Sequence, residues 1–279
     1  REFFLVNAVT VSILGFALFG GTTVTPYLMN FFGGDWRSPL YFFGGVTGGM
    51  TILWVILGQE RESQQYLSHV IQIGKTSWRN ALRYKELWLT GLGVFGANIS
   101  ASTFTAFYPT LMLERYAFPL ELSALIIALN WLVAGIAGLI ITKLATNWNT
   151  RSKILYTCGL LLPFSYLALI FTDSLPLLLV ASIVNGLGWA FFPILLTVSL
   201  QLPGIQVKEV PIAHAYFFTA ISLGLAVGPL MTGFALEALS NPPVVFGIMS
   251  LASLSVIGSG IFVKSLRESE TSQITPHRL

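Results

Sequence analysis

Charge is what this 279-residue chain has least of. Only 10% of its residues are Asp, Glu, Lys or Arg, while 54% are hydrophobic and the mean hydropathy is +0.74. A soluble domain carries about 25% charged residues, so a water-facing surface for a chain of this size is excluded. Cysteine is scarce as well. Cys158 stands alone, cannot close an intrachain disulfide, and reads as a buried thiol within an apolar stretch. No Walker loop, His/Cys metal spacing or Ser/His/Asp set appears, so no catalytic residues, metal ligands or cofactor site are expected and the chain is not read as an enzyme. A net charge of +3 spread along the chain does not make the basic face that nucleic acid requires.

What charge there is lies in separate places. Eight stretches hold no Asp, Glu, Lys or Arg: 3–34, 38–59, 87–113, 122–142, 154–172, 174–207, 210–236 and 238–263. Each reaches the roughly 18–20 apolar residues that span the hydrocarbon layer as helix. Runs such as FALFGG and LLPFSYLALIF lack the alternation of a membrane β-barrel, and the first stretch is too long for a signal segment. The fold class read from this pattern is an all-α polytopic membrane protein with eight transmembrane helices, its main partner being the lipid bilayer.

Eight crossings put both termini on one side. If that side is the cytoplasm, the inner segments hold Arg1, Arg61, Lys75, Arg79, Arg83, Lys85, Lys143, Arg151, Lys153, Lys208, Lys264, Arg267 and Arg278, and the outer ones only Arg37 and Arg115. That asymmetry is the positive-inside pattern, so both ends are expected in the cytoplasm and the plasma (inner) membrane is the expected location. The long polar segment 60–86 mixes Leu67, Val70, Ile71, Trp78 and Leu82 with Lys75, Arg79, Arg83 and Lys85. Such a mixture suits either a helix at the inner headgroup layer or a solvated linker. The other connections are short, so successive helices are expected to run antiparallel and pack as neighbours. Gly20, Gly21, Gly135, Gly138, Gly224, Gly228 and Gly233 are candidate packing positions, because small residues let helices approach in lipid.

Two spans share a local pattern, Ala106-Phe107-Tyr108-Pro109 and Ala190-Phe191-Phe192-Pro193. Each proline should bend its helix, and the two spans run in opposite directions. Matching breaks of this kind mark the inverted repeats of alternating-access transporters. No span carries a charged residue at its centre, so the helices should offer a neutral cavity wall and any coupling proton or ion would be handled elsewhere. His214, near the start of the seventh stretch, reads as an interfacial histidine.

At this point the chain resembles the major facilitator superfamily over that family's fifth to twelfth helices. Asp35-Trp36-Arg37 sits in a short outer loop like the family's Trp-Arg before its sixth helix, and the stretch Gly224 to Gly233, with Gly228-Pro229, looks like its Gly-Pro-rich eleventh helix. The segment from Gly138 to Lys153 occupies the place of the family's basic loop motif, with Thr142 at the acidic position, then Lys143, Arg151 and Lys153. The antiporter signature of the fifth helix is not matched: Gly15, Gly20 and Gly21 precede Pro26 without a Gly-Pro pair.

The resemblance implies that residues 1–59 are the last two helices of an N-terminal bundle, 60–86 a cytoplasmic central loop, 87–264 a six-helix C-terminal bundle and 265–279 a cytoplasmic tail. Four front helices would then lie outside this chain. It also implies a solute cavity lined by the first, third, fourth, sixth and seventh spans. The polar and aromatic candidates there are Asn98, Ser102, Thr105 and Tyr108; Asn130 and Trp131; Asn185, Trp189 and Phe192; and Thr22, Thr25 and Asn30. Pro109, Pro193, Gly228 and Pro229 are the candidate hinges, and Gly138, Lys143, Arg151 and Lys153 the candidate gate loop. The implied function is secondary active transport of a small solute by alternating access; the alternative is a membrane receptor or scaffold that moves nothing.

Overall fold

The computed structural model describes residues 2–58, 83–145, 147–200, 202, 205–206 and 209–263. The 60–82 part of the central segment, with its two alternative readings, and the tail 265–279 lie outside them. The described residues form helices and turns only. In chain order the helices are α1 (Glu2–Phe31), α2 (Arg37–Leu57), α3 (Lys85–Tyr116), α4 (Leu120–Leu144), α5 (Trp148–Phe171) and α6 (Leu175–Gly188). A 3₁₀ turn, Trp189–Phe191, joins α6 to α7 (Phe192–Leu200); then come α8 (Val210–Leu239) and α9 (Pro242–Ser250). A second 3₁₀ turn, Leu251–Leu254, leads into α10 (255–263).

Seven of these stretches are long and apolar enough to cross a membrane, α6–α7 and α9–α10 each counting as one. The eighth long helix, α3, has 32 residues but falls short in apolarity, because Gly91, Gly93, Gly96, Asn98, Ser100, Ser102 and Thr103 occupy its buried face. Those residues sit at the centre of the bundle. Ser100 Oγ donates to the Met249 carbonyl at 2.8 Å, Ser255 Oγ to the Gly93 carbonyl at 3.0 Å, and Ser259 Oγ to the Leu89 carbonyl at 2.9 Å. In a lipid setting helices are held by close packing and such bonds rather than by burial from water. The most polar helix therefore has its polar face enclosed.

Helices adjacent in sequence are not, as a rule, the closest in space. The closest partners are α1 with α4, α3 with α8, and α4 with α6; only α5 and α6 are both sequential and closely packed. This corrects the expectation that each helix packs against the next. Short connections fix alternating direction, but the glycine faces select the partner. A Cβ on Gly224 would meet the Phe95 carbonyl and Asn98, and one on Gly228 would meet Ser102 and the Ile99 carbonyl, so α3 and α8 run parallel with their backbones in contact. Gly135 and Gly138 of α4 face Ser12 of α1 in the same way. Gly20, Gly21 and Gly233, also expected at packing positions, meet nothing within 4 Å among the described residues.

The two prolines of the shared pattern do not act alike. Pro193 has no N–H to give the Trp189 carbonyl, and the chain tightens there into the 3₁₀ turn, with the Phe192 N–H bonded to Trp189 instead. Through Pro109, by contrast, α3 continues as helix to Tyr116. The break at Leu251–Leu254 has no proline at all. It lies where Gly96 of α3 approaches the Ala252 carbonyl and Ser255, and nothing in the sequence pattern announced it.

Candidate functional site

The middle of the bundle holds a cavity of about 350 Å³. Its walls come from α1 (Val11, Leu14, Gly15, Leu18), α3 (Asn98, Ala101, Ser102, Thr105, Ala106), α4 (Trp131, Ala134, Gly135), the α6–α7 break (Trp189, Phe192) and α8 (Ile221, Leu225). No wall residue is charged. On α3 the polar groups follow helical spacing, which sets Asn98, Ser102 and Thr105 on one face. Each is drawn back onto the backbone: Asn98 Nδ2 donates to the Val94 carbonyl at 2.8 Å, Ser102 Oγ to the Ile99 carbonyl at 3.2 Å, and Thr105 Oγ1 to the Ala101 carbonyl at 2.9 Å. Opposite them the Trp131 and Trp189 rings lie 5.4 Å apart, and Phe192 continues the aromatic wall 6.4 Å from Trp189. The 3₁₀ turn brings Trp189 to this wall, with its indole N–H reaching Tyr166 Oη at 3.4 Å.

A second cavity, of about 280 Å³, opens between the C-terminal half of α1 and the start of α4. Thr22, Thr25, Pro26, Asn30, Pro109 and Glu121 are among its walls, and Asn30 Nδ2 donates to Glu121 Oε1 at 2.8 Å across it. Thr105 walls both cavities. Pro109 lacks the N–H that would have capped the Thr105 carbonyl, so an acceptor is freed where the two spaces meet.

At the other end α1 and the bundle close together. Asn7 Nδ2 donates to Thr197 Oγ1 at 3.3 Å in a buried contact. One and a half turns further a Cβ on Gly138 would lie 3.3 Å from Ser12 Oγ and 3.6 Å from Pro193 Cγ. At Gly15 the approach is tightest, since a Cβ there would stand 2.9 Å from Gly135 Cα and 3.0 Å from the Trp131 carbonyl. Only glycine fits such a crossing. The importance of Gly15 was missed from sequence, although Ser12, Gly15, Gly135 and Gly138 show small-residue spacing on two spans.

The candidates thus separate. Asn98, Ser102, Thr105, Trp131, Trp189 and Phe192 wall the central cavity; Tyr108 and Asn130 wall a smaller chamber beside it; Thr22, Thr25 and Asn30 wall the second cavity. Asn185 lies apart from all three. It is fully buried, and its Nδ2 donates to Ser165 Oγ of α5 at 2.8 Å, so it joins α6 to α5. Gly228 is fixed in the α3–α8 contact, with Pro229 half-buried beside it. Gly138 is not in a loop. Helix α4 runs on to Leu144 and α5 begins at Trp148, capped by Asn147, which accepts from the Thr150 N–H at 2.8 Å. The connection is correspondingly short: Arg151 Nε donates to the Ala145 carbonyl at 3.2 Å, while Lys143 and Lys153 are exposed at the same end. His214 lies tilted against Phe218, ring centroids 4.8 Å apart, and walls none of the three spaces.

A bundle of membrane-crossing helices around an uncharged central cavity, shared between one long helix and the rest, is the architecture of a solute transporter. Residues 7–204 match the family described as Major Facilitator Superfamily, and the chain belongs to it. No curated protein matches the chain. Membership makes it a transporter that sits in the bilayer and moves small solutes.

Proposed function

We propose that the chain moves an uncharged, largely apolar solute through the central cavity by alternating access, with α1 moving against α4. The supporting observation is how the cavity is shared. One wall is α1, from the front unit (1–59), and the others are α3, α4, α7 and α8, from the six-helix unit (87–264), with the α6–α7 break between them. Relative motion of the two units would open and close it. Closure at the Asn7–Thr197 end and an open second cavity at the Asn30–Glu121 end correspond to one of the two access states. Gly15 on Gly135 serves as the bearing between them.

The lining selects the solute. An ion in a space without a counter-charge would lose far more hydration than a few neutral hydrogen bonds return, so a neutral molecule with an aromatic or aliphatic body fits best. Lys85, Lys143, Arg151 and Lys153 gather at the end where α1 begins, which supports that end, and both chain termini, facing the cytoplasm. The captured state is then open to the outside.

The test is flux in proteoliposomes across a panel of neutral and charged solutes, with Trp131→Ala and Trp189→Ala beside the native chain. Uptake of a neutral solute, lowered at least tenfold by either change while the amount of inserted protein is kept, is the expected result. Flux confined to charged solutes, or indifferent to both tryptophans, contradicts the reading.

A further inference from the structure

Beside the central cavity, between α3, α4 and α5, lies a chamber of about 20 Å³. Thr105, Tyr108, Asn130, Trp131 and Tyr166 are among its walls. That volume admits one water-sized group, since about 10–15 Å³ suffices for a single water. Ala101, Thr105 and Trp131 wall both the chamber and the cavity, so the two spaces adjoin.

Three residues on these walls carry a buried polar atom without a hydrogen-bond partner: Tyr108 Oη, Asn130 Oδ1 and Trp131 Nε1. Tyr108 is wholly buried and Asn130 nearly so. Behind them Phe104 packs on Tyr166 at 4.2 Å and closes the chamber off with apolar surface. Buried polar groups are otherwise almost always paired, and the α3 hydroxyls around them are. Three unpaired polar atoms carried by the wall residues of one small space point to a group that pairs them there.

Their chemistry describes it further. An indole N–H only donates, an amide oxygen only accepts, and a phenol does either. One oxygen that accepts from Trp131, donates to Asn130 and pairs with Tyr108 completes all three. A carboxylate has no proton for Asn130, an ammonium has no lone pair for Trp131, and a ketone has no hydrogen to donate.

We propose that the chamber seats a single hydroxyl oxygen: water when the cavity is empty, and the hydroxyl group of a neutral solute when its apolar body fills the cavity. That the hydroxyl-bearing solute is cargo rests on the transport reading; that it binds does not.

The experiment measures binding by tryptophan fluorescence, with the full chain in lipid nanodiscs and empty nanodiscs subtracted. The probes share one body: 2-phenylethanol, ethylbenzene and 2-phenylethylammonium. The alcohol should bind about tenfold tighter than ethylbenzene, the discrimination a site loses when its buried polar groups go unpaired. The ammonium should gain nothing over the hydrocarbon. Tyr108→Phe and Asn130→Leu should each cut the alcohol's advantage about fivefold and leave ethylbenzene unchanged, which also reports that the cavity is intact. Tyr108→Phe removes only an oxygen and keeps the test readable should Asn130→Leu fold poorly. Equal affinity for alcohol and hydrocarbon, no binding of either, or an advantage untouched by both changes overturns the proposal. A map of the empty protein that shows density in the chamber identifies the water; an empty chamber there overturns that half. Alcohol preference without flux of any solute would remove the transport reading and leave the chamber. Flux without preference would do the reverse.

Discussion

Two pairs of long helices meet over glycine, α3 beside α8 and α1 on α4, and they are fastened differently. Between α3 and α8 the backbones touch at Gly224 and Gly228, and hydrogen bonds cross the contact: Thr103 Oγ1 pairs with Thr232 Oγ1 at 2.8 Å, and Ser102 Oγ reaches the Gly224 carbonyl at 3.4 Å. At their shared end Tyr84 Oη donates to Glu209 Oε2 at 2.9 Å, and the Gln206 N–H meets the same oxygen at 3.0 Å. Between α1 and α4 the backbones also meet, at Gly15 and Gly135, though less closely than α3 meets α8, and among the described residues no hydrogen bond crosses the middle of that contact. The bonds from α1 lie near its two ends, Asn7 to Thr197 and Asn30 to Glu121. A contact of bare backbone resists separation through dispersion yet tolerates sliding and rolling, whereas crossing hydrogen bonds fix register. In the proposed mechanism the first seam acts as a weld and the second as a bearing. The cavity sits between them.

The largest expected effect comes from overfilling the weld. Gly228→Leu would drive its side chain into Ser102 and the Ile99 carbonyl, where backbone cannot yield, so the yield of monodisperse protein should collapse. Gly233→Leu on the same helix meets open space and should be tolerated. Next is the bearing. Gly15→Leu should leave the six-helix unit folded, as judged by helix content and extraction, but lower flux at least tenfold, because α1 can no longer seat on α4. Smaller is the loss of one stitch. A double-mutant cycle on Thr103→Val and Thr232→Val should give a coupling of about 0.6 kcal/mol in thermal stability, typical of interhelical hydrogen bonds in lipid, with flux within about twofold of native. Smallest is the Tyr84–Glu209 stitch. Burial first, and then the Glu209 carboxylate, raise the Tyr84 phenol above its ordinary value. A raised phenol favours the folded state below its unfolded pKa, about 10. That contribution is fully present below pH 10 and is lost as pH rises through the folded value. Tyr84→Phe should remove this alkaline step from the melting profile and leave the neutral range little changed.

The crossings were legible in sequence because exclusion of charge from long stretches is a composition signal that needs no partner. The placement of Asn98, Ser102 and Thr105 on one face was legible for a similar reason: helical spacing fixes it locally. What failed was pairing. That α3 lies beside α8 and not against α4 alone depends on glycines more than a hundred residues apart, and single-sequence patterns do not couple them. Asn185 shows the same limit. It stands one turn before Trp189, yet the 3₁₀ turn and Ser165 of α5 take it out of the cavity wall. The break at Leu251–Leu254 lies against Gly96 of α3 and carries no proline or glycine of its own; Ser250 and Ser253 bond back onto the carbonyls three residues earlier there, a local signal too common to read alone. The small chamber could not be read either, because its three unpaired atoms come together only through the packing of α3, α4 and α5.

The most direct test of the bearing is a distance distribution between spin labels at Tyr27→Cys on α1 and Leu120→Cys at the start of α4, both exposed, in a Cys158→Ala background. With a transported solute present, the distribution should shift or split between two distances, as α1 rolls over Gly135 and the second cavity between α1 and the start of α4 changes width. One narrow distance, unchanged with and without solute while flux proceeds, would contradict motion of α1 against α4.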